Sequence, residues 1–383
     1  MQFLPFALPE IGDEEINEVI ACIRSGWITT GPRAKQFEQD FAAYLGNEVQ
    51  AIAINSATSG LHLALEALGI SEGDEVILPS YTFTSTAEVV RYLNATPILV
   101  DVDEATFNIS INAIKQAITP KTKAIIPVHF GGLSCDMEGI LTIAKEHNLV
   151  VVEDAAHAFP STCNGKLIGT LNSDATVFSF YANKTMTTGE GGMLVSKHEK
   201  VIERAKVMRL HGISRDAFDR YQSEKPAWFY EVIEAGYKYN IPDICAAIGI
   251  HQLKKIDTFQ KKRELQAQRY DEMLKDFPVV LPPKAPEGER HAYHLYPIRI
   301  SKESGMSRND FIQKMSKQKI GCSVHFIPLH KHPYWKDTYS LKKESFPVSE
   351  KLFDQEVSIP LYTKLTEEDQ RRVVSTMKQI FGC

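Results

Sequence analysis

AIAINSATSGLHLALEALGISEGDEVILPSYTFTSTAEVVRYLNATPILVDV, residues 51–102, is the stretch whose reading decides the fold. Short β-branched runs alternate in it with helical ones. AIAIN (51–55), EVILP (75–79) and PILVDV (97–102) read as strands, and TSGLHLALEAL (58–68) and TSTAEVVRYL (84–93) as helices. Outward from it the alternation continues. INAIKQAI (111–118) and MEGILTIAKEHN (137–148) are helical, and TKAIIPVHF (122–130), LVVVED (149–154) and ATVFSF (175–180) are strand-like. Strands separated by helices predict an α/β domain with a mostly parallel sheet covered on both faces. Beyond residue 240 the pattern changes. Residues 243–274 have no proline and no glycine after Gly249, and predict one long helix or two abutting. A proline-rich break follows. Then AYHLYPIRI (292–300), a helix near 307–318, a strand SVHFIP (323–328) and a last helix near 365–380 predict a smaller α+β domain. The expected division is 1–245 for the large domain and 246–383 for the small one.

Composition narrows the classes. The 383 residues are 43% hydrophobic and 24% charged, which suits a globular chain with a sizeable core. A net charge of −5 gives no basic field for nucleic acid or an acidic membrane. The sequence has no apolar run of membrane-spanning length, and its start, MQFLPFALPEIGDEE, lacks the basic region of a signal peptide. Six scattered cysteines, none in a CxxC pair, suit reduced thiols and a cytoplasmic location. His291, His294, His325, His330 and His332 cluster in sequence, but their spacing fits no zinc motif, so no metal is expected.

In open α/β sheets ligands bind beyond the carboxyl ends of the strands, and three such ends carry chemistry here. SATSG (56–60) opens a helix; its N–H groups and hydroxyls suit a phosphate, and Ser56 or Thr58 equally suits a simple helix cap. VVVEDAAHA (150–158) ends a buried run on Glu153 and Asp154, with His157 three residues beyond Asp154. A buried carboxylate needs a partner, and a cationic ring nitrogen is one. FSFYANKTMTTGEGG (178–192) brings Lys184 off the tip of an apolar strand, before a loop of hydroxyls and glycines. Desolvation strips proton affinity from a lysine and leaves an amine able to condense with a carbonyl. A phosphate site, a carboxylate and an amine on successive strand ends together suit pyridoxal 5′-phosphate.

These segments, with SGWITTGP (25–32), GYKYNIPDICAAIGIHQL (236–253), HAYHLYPIRI (291–300) and GCSVHFIPLH (321–330), make the chain resemble the DegT/DnrJ family of pyridoxal-phosphate-dependent nucleotide-sugar aminotransferases. Within it, the similarity is to the type that makes UDP-4-amino-4-deoxy-L-arabinose. The resemblance implies the type I aminotransferase fold and a homodimer with shared active sites. It implies that Lys184 joins the cofactor aldehyde, Asp154 faces the pyridine nitrogen and His157 neighbours the phenolate oxygen. Phe83 would stack on the ring, where many relatives carry tryptophan. Ala57, Thr58, Ser59 and Ser179 would form the phosphate cup, completed by Asn240 of the other subunit. Trp27 and His325 would border the sugar. Lys238 and Arg215 are available as positive groups for a nucleotide diphosphate. The implied reaction takes an amino group from L-glutamate, leaving 2-oxoglutarate, to a keto-sugar nucleotide. The expected acceptor carbon is C4 of a UDP- or dTDP-4-keto-6-deoxy sugar or pentose, in cell-surface polysaccharide or deoxyaminosugar biosynthesis. The alternatives are a C3-directed aminotransferase and a sugar dehydrase; relatives of the latter kind replace the lysine by histidine, and Lys184 is present. A non-catalytic regulator on the same fold would show a degraded site, and Lys184 and Asp154 are both intact.

Overall fold

The computed structural model describes residues 2–214 and 230–382. The main sheet is built from β1 (Gln50–Ile54), β2 (Glu75–Pro79), β3 (Thr96–Val100), β4 (Thr122–Ile125) and β5 (Val150–Asp154). After a short hairpin of β6 (Thr162–Cys163) and β7 (Lys166–Leu167), β8 (Ala175–Ser179) and β9 (Gly192–Ser196) complete it. Its spatial order is β1-β9-β8-β5-β4-β2-β3. β9 alone runs antiparallel to its neighbours; every other pairing is parallel.

Successive strand residues enter different cores, because side chains in a strand alternate sides. Ala51, Ala53, Ile77, Val151 and Phe178 pack with the helices Pro32–Tyr44 and Met137–His147. Ile52, Ile54, Val76, Val152 and Val177 pack with the helices Ala57–Ala67, Ser85–Tyr92 and Glu199–Met208. Both faces are therefore covered, and the strand runs read as continuously apolar for that reason.

Three elements differ from the sequence reading. GMLVS, which forms β9, was hidden behind the glycines of TTGEGG. The expected strand 122–130 stops at Ile125: Pro127 has no N–H to extend the ladder, although its carbonyl still accepts from Asp154 N–H at 2.9 Å. The expected strand 323–328 is absent. Only Ser323 pairs, with Ser358, and the next available N–H, that of His325, goes to the Glu356 carboxylate instead of a backbone carbonyl.

The long helix is continuous from Asp243 to Leu274, across the expected division at 245–246. Asp243 also caps a second helix. Its carboxylate accepts the N–H groups of Gly31, Arg33 and Ala34 at 2.8–3.1 Å, where Gly31 has no side chain to cap Pro32–Tyr44 itself. Ala246, Ile250, Leu253 and Ile256 of the long helix join the main core. Ala267, Tyr270 and Leu274, further along, join a separate cluster under a sheet of β10 (Val279–Val280), β11 (Tyr296–Ile300) and β12 (Glu356–Ile359). The N-terminal segment crosses to this second cluster through Leu4, which bridges Ile320.

Candidate active site

The carboxyl ends of β1, β5 and β8 open into one cavity of about 520 Å³. Ala57, Thr58, Phe83, Asp154, His157, Ser179, Lys184 and His325, all singled out from the sequence, line it. Ser59, Asn240 and Trp27 do not. Ser59 turns its hydroxyl to Asn55 and Ser56. Asn240 donates to Thr30 and accepts from Lys238 at 2.6 Å. Trp27 donates its indole N–H to the Thr30 carbonyl at 3.1 Å. Lys238 is thus engaged by Asn240, and Arg215 lies outside the described residues.

At the β1 end, both readings of SATSG hold. Ser56 is the helix cap and takes the Ser59 N–H at 3.1 Å. That leaves the first-turn N–H groups of Ala57 and Thr58 at the cavity wall, at the positive end of the helix dipole. Ser179 closes the same corner from β8. Gly192, paired with both Ile54 and Ser179, completes it. A Cβ there would stand 2.9 Å from Ala57 N and 2.7 Å from the Phe178 carbonyl, so only glycine lets β9 pass this close to the cup.

At the β5 end, strand alternation separates the two carboxylates. Asp154 faces the cavity, and Glu153 points into the opposite side, where it meets His129 at 2.9 Å and the Thr176 hydroxyl at 2.8 Å. His129 Nδ1 accepts the Cys135 N–H at 3.0 Å, so its proton sits on Nε2 and is given to Glu153. Asp154 accepts from the Thr86 hydroxyl at 2.8 Å and from Ala156 N–H at 3.2 Å. Burial raises the Asp154 pKa above the ordinary carboxylate range, against the pull of those two donors and of the Lys184 charge. A cation placed against it would be held strongly.

Lys184 is half-buried, and burial pushes its ammonium down to about 8, opposed only by the Asp154 charge. Around it stand three imidazoles, of His157, His294 and His325. Burial, then the Lys184 charge, holds His157 well below its usual range, and its Nδ1 accepts the Gly131 N–H at 3.3 Å. The neutral ring therefore carries its proton on Nε2. His294 packs against it at 4.4 Å between centroids, with its own Nδ1 buried and without a partner. Phe326 stacks on His157 at 5.7 Å between centroids. Phe83, 59% exposed, meets Phe326 at 6.0 Å.

Thr86, His294 and Phe326 were missed as site residues. Thr86 lies in a hydroxyl-rich helix start that reads equally well as capping, and His294 was weighed only as a metal ligand. Among the described residues no group of three or more His, Cys, Asp or Glu side chains is placed to hold a metal ion.

The chain matches the family described as DegT/DnrJ/EryC1/StrS aminotransferase over residues 9–378. It is 45% identical over 380 residues to the spore coat polysaccharide biosynthesis protein SpsC of Bacillus subtilis, covering 99% of this chain and 97% of that one. Its fold superposes on the PMP form of Spr1654 of Streptococcus pneumoniae with TM-score 0.92, 33% identity and 99% coverage of both chains. It matches Helicobacter pylori PseC, an aminotransferase in pseudoaminic acid biosynthesis, with TM-score 0.90, 28% identity and full coverage of both chains. Lys184, Asp154 and the helix start at Ala57–Thr58 thus converge on one cavity, in a chain that belongs to the DegT/DnrJ/EryC1/StrS aminotransferase family.

Proposed function

We propose that the protein transfers an amino group from L-glutamate to C4 of a keto-sugar nucleotide, using pyridoxal 5′-phosphate. The observation that carries this reading is the convergence of Lys184, Asp154 and the Ala57–Thr58 helix end on one cavity. The cavity fits the cofactor at each of its functional groups. Ala57 N–H, Thr58 and Ser179 would hold the phosphate, with Gly192 leaving the room. Asp154 would hold the ring N–H⁺, and Phe83 would cover the ring face. The His157 Nε2–H would donate to the phenolate oxygen. When bound, the cofactor supplies an electrophilic aldehyde and an electron sink for the carbon that loses a proton.

The chain's own residues do the rest. Lys184, neutral above about pH 8, offers the nucleophilic amine. Lys184, free of any covalent bond, would be the base that takes the α-proton of the amino donor and the acid that delivers it to the cofactor carbon C4′. Asp154, which accepts from the Thr86 hydroxyl, would hold the ring nitrogen in its protonated form. His325, neutral because burial pushes it down to about 3, lines the cavity and would border the sugar. Relatives in spore coat polysaccharide and pseudoaminic acid biosynthesis support a sugar as acceptor. We place the protein in a homodimer in which the partner's copy of Asn240 completes the phosphate cup, since in its own chain that side chain is turned to Thr30. The test is to incubate the loaded enzyme with L-glutamate and a panel of UDP- and dTDP-keto-sugars, and to locate the new amine by mass spectrometry and NMR. Amination at C4 supports the proposal; amination at C3, or loss of water without a new amine, overturns it.

A further inference from the structure

His325 is joined to a buried chain of groups that the proposed reaction does not use. Its Nδ1 lies 3.0 Å from the Ser358 hydroxyl, and that hydroxyl lies 2.7 Å from Glu356 Oε1. The other Glu356 oxygen, Oε2, accepts the His325 backbone N–H at 2.9 Å. Glu356 and Ser358 are fully buried on β12, both 0% exposed. Ser358 contacts only Nδ1, which leaves Nε2 as the second ring nitrogen of a side chain that lines the cavity.

Hydrogen-bond direction couples these groups. An ionised Glu356 can only accept. Ser358 then donates to it, His325 must donate from Nδ1 to Ser358, and Nε2 is left with a bare lone pair. A neutral Glu356 must carry its proton on Oε1, since Oε2 already faces an N–H. It then donates to Ser358, Ser358 donates to Nδ1, and the ring proton moves to Nε2. The interconversion balances with one proton. It enters at Nε2 from the cavity, the Nδ1 proton passes to Ser358, and the Ser358 proton passes to Glu356.

We propose that Glu356 and Ser358 are positioning residues whose shared proton sets the tautomer of His325, and so switches the cavity wall between hydrogen-bond acceptor and donor. The donor state fits a sugar carbonyl oxygen, and the acceptor state fits a hydroxyl or an amine; this consequence rests on the sugar-aminotransferase reading, and the switch itself does not. Burial pushes the Glu356 carboxyl up to about 8, which puts the change within the range of ordinary buffers. The groups facing the relay are the Arg308 guanidinium, the Tyr81 hydroxyl and the Cys322 thiol on the Glu356 side. Lys184, His157 and His294 face it on the cavity side. His325 stays neutral throughout, because burial, then Lys184, holds it at about 3.

The test is ¹⁵N NMR of histidine-labelled full-length protein loaded with pyridoxal 5′-phosphate, with His325→Gln used to assign the signal. Between about pH 6 and about pH 9.5 the wild type is expected to pass from the Nε2–H to the Nδ1–H pattern without a doubly protonated stage. In Glu356→Gln the amide oxygen takes the His325 N–H and the NH₂ faces Ser358, so the Nε2–H pattern is expected at both ends. Ser358→Ala is expected to abolish the pH response. A wild-type tautomer that does not change, or a change that survives in Glu356→Gln or Ser358→Ala, would overturn the proposal. If Glu356→Gln does not fold, the wild-type titration and Ser358→Ala still decide. No substrate enters the experiment, so its result is separable from that of the keto-sugar panel.

Discussion

At the scale of single residues, burial sets the chemistry. Lys184 is held near 8 because desolvation outweighs the attraction of Asp154. Below that value the ammonium dominates and the amine is lost about tenfold per pH unit. The rate at which apoprotein captures pyridoxal 5′-phosphate is therefore expected to rise with pH up to about 8 and to level off above it; stopped-flow absorbance measures this, and a rate still climbing at 10 would contradict it. Thr86 gives Asp154 its only side-chain hydrogen bond among the described residues. A hydrogen bond to a charged group is worth about 1.5–3 kcal/mol. Thr86→Val is expected to cut kcat roughly tenfold or more and to move the acidic limb of the pH–rate profile upward, with the fold intact by circular dichroism. A merely structural role would lower stability and leave the profile in place. Lys184 and Asp154 were legible because a charge at the end of an apolar run is costly without a function. Thr86 and Glu356 were not: a hydroxyl at a helix start and a glutamate opening a strand are ordinary on their own, and Asp154 and His325, which they meet, lie 68 and 31 positions away.

At the scale of elements, the phosphate cup is a meeting of a helix start and a reversed strand. Gly192→Ala puts a Cβ against two backbone groups that cannot swing away. The expected result is a loss of roughly 1–3 kcal/mol in stability and weaker retention of cofactor on dialysis. Ser56→Ala removes the cap and the contact with the Ser59 hydroxyl, leaves the approach of β9 open, and should cost about 1 kcal/mol in chemical denaturation. If the two variants behaved alike, the close approach of β9 would not matter. Strands buried on both faces were legible as uniform β-branched runs. β9 was not, since Gly192, needed for the close approach, also reads as loop with the glycines before it. Residues 323–328 misled in the other direction: their apolar pattern suits a strand, but the His325 N–H is spent on the Glu356 side chain.

At the scale of the whole molecule, the long helix Asp243–Leu274 links the two cores, and the sheet order places strand ends far apart in sequence around one cavity. That order was not legible, because the alternation of strands and helices does not say which strands are neighbours. The proposed shared site makes a further prediction. Lys184→Ala and Asn240→Ala chains, each weakened alone, should on mixing and reassembly recover roughly a quarter of the wild-type rate, because hybrid dimers carry one intact site. No recovery would place both residues in the same chain's site. The most direct measurement of the central claim is borohydride reduction of the enzyme loaded with pyridoxal 5′-phosphate, followed by peptide mapping. The expected result is one tagged peptide carrying the cofactor on Lys184, absent in Lys184→Ala. A tag on another lysine, or none, would contradict the assignment of this amine as the reactive group.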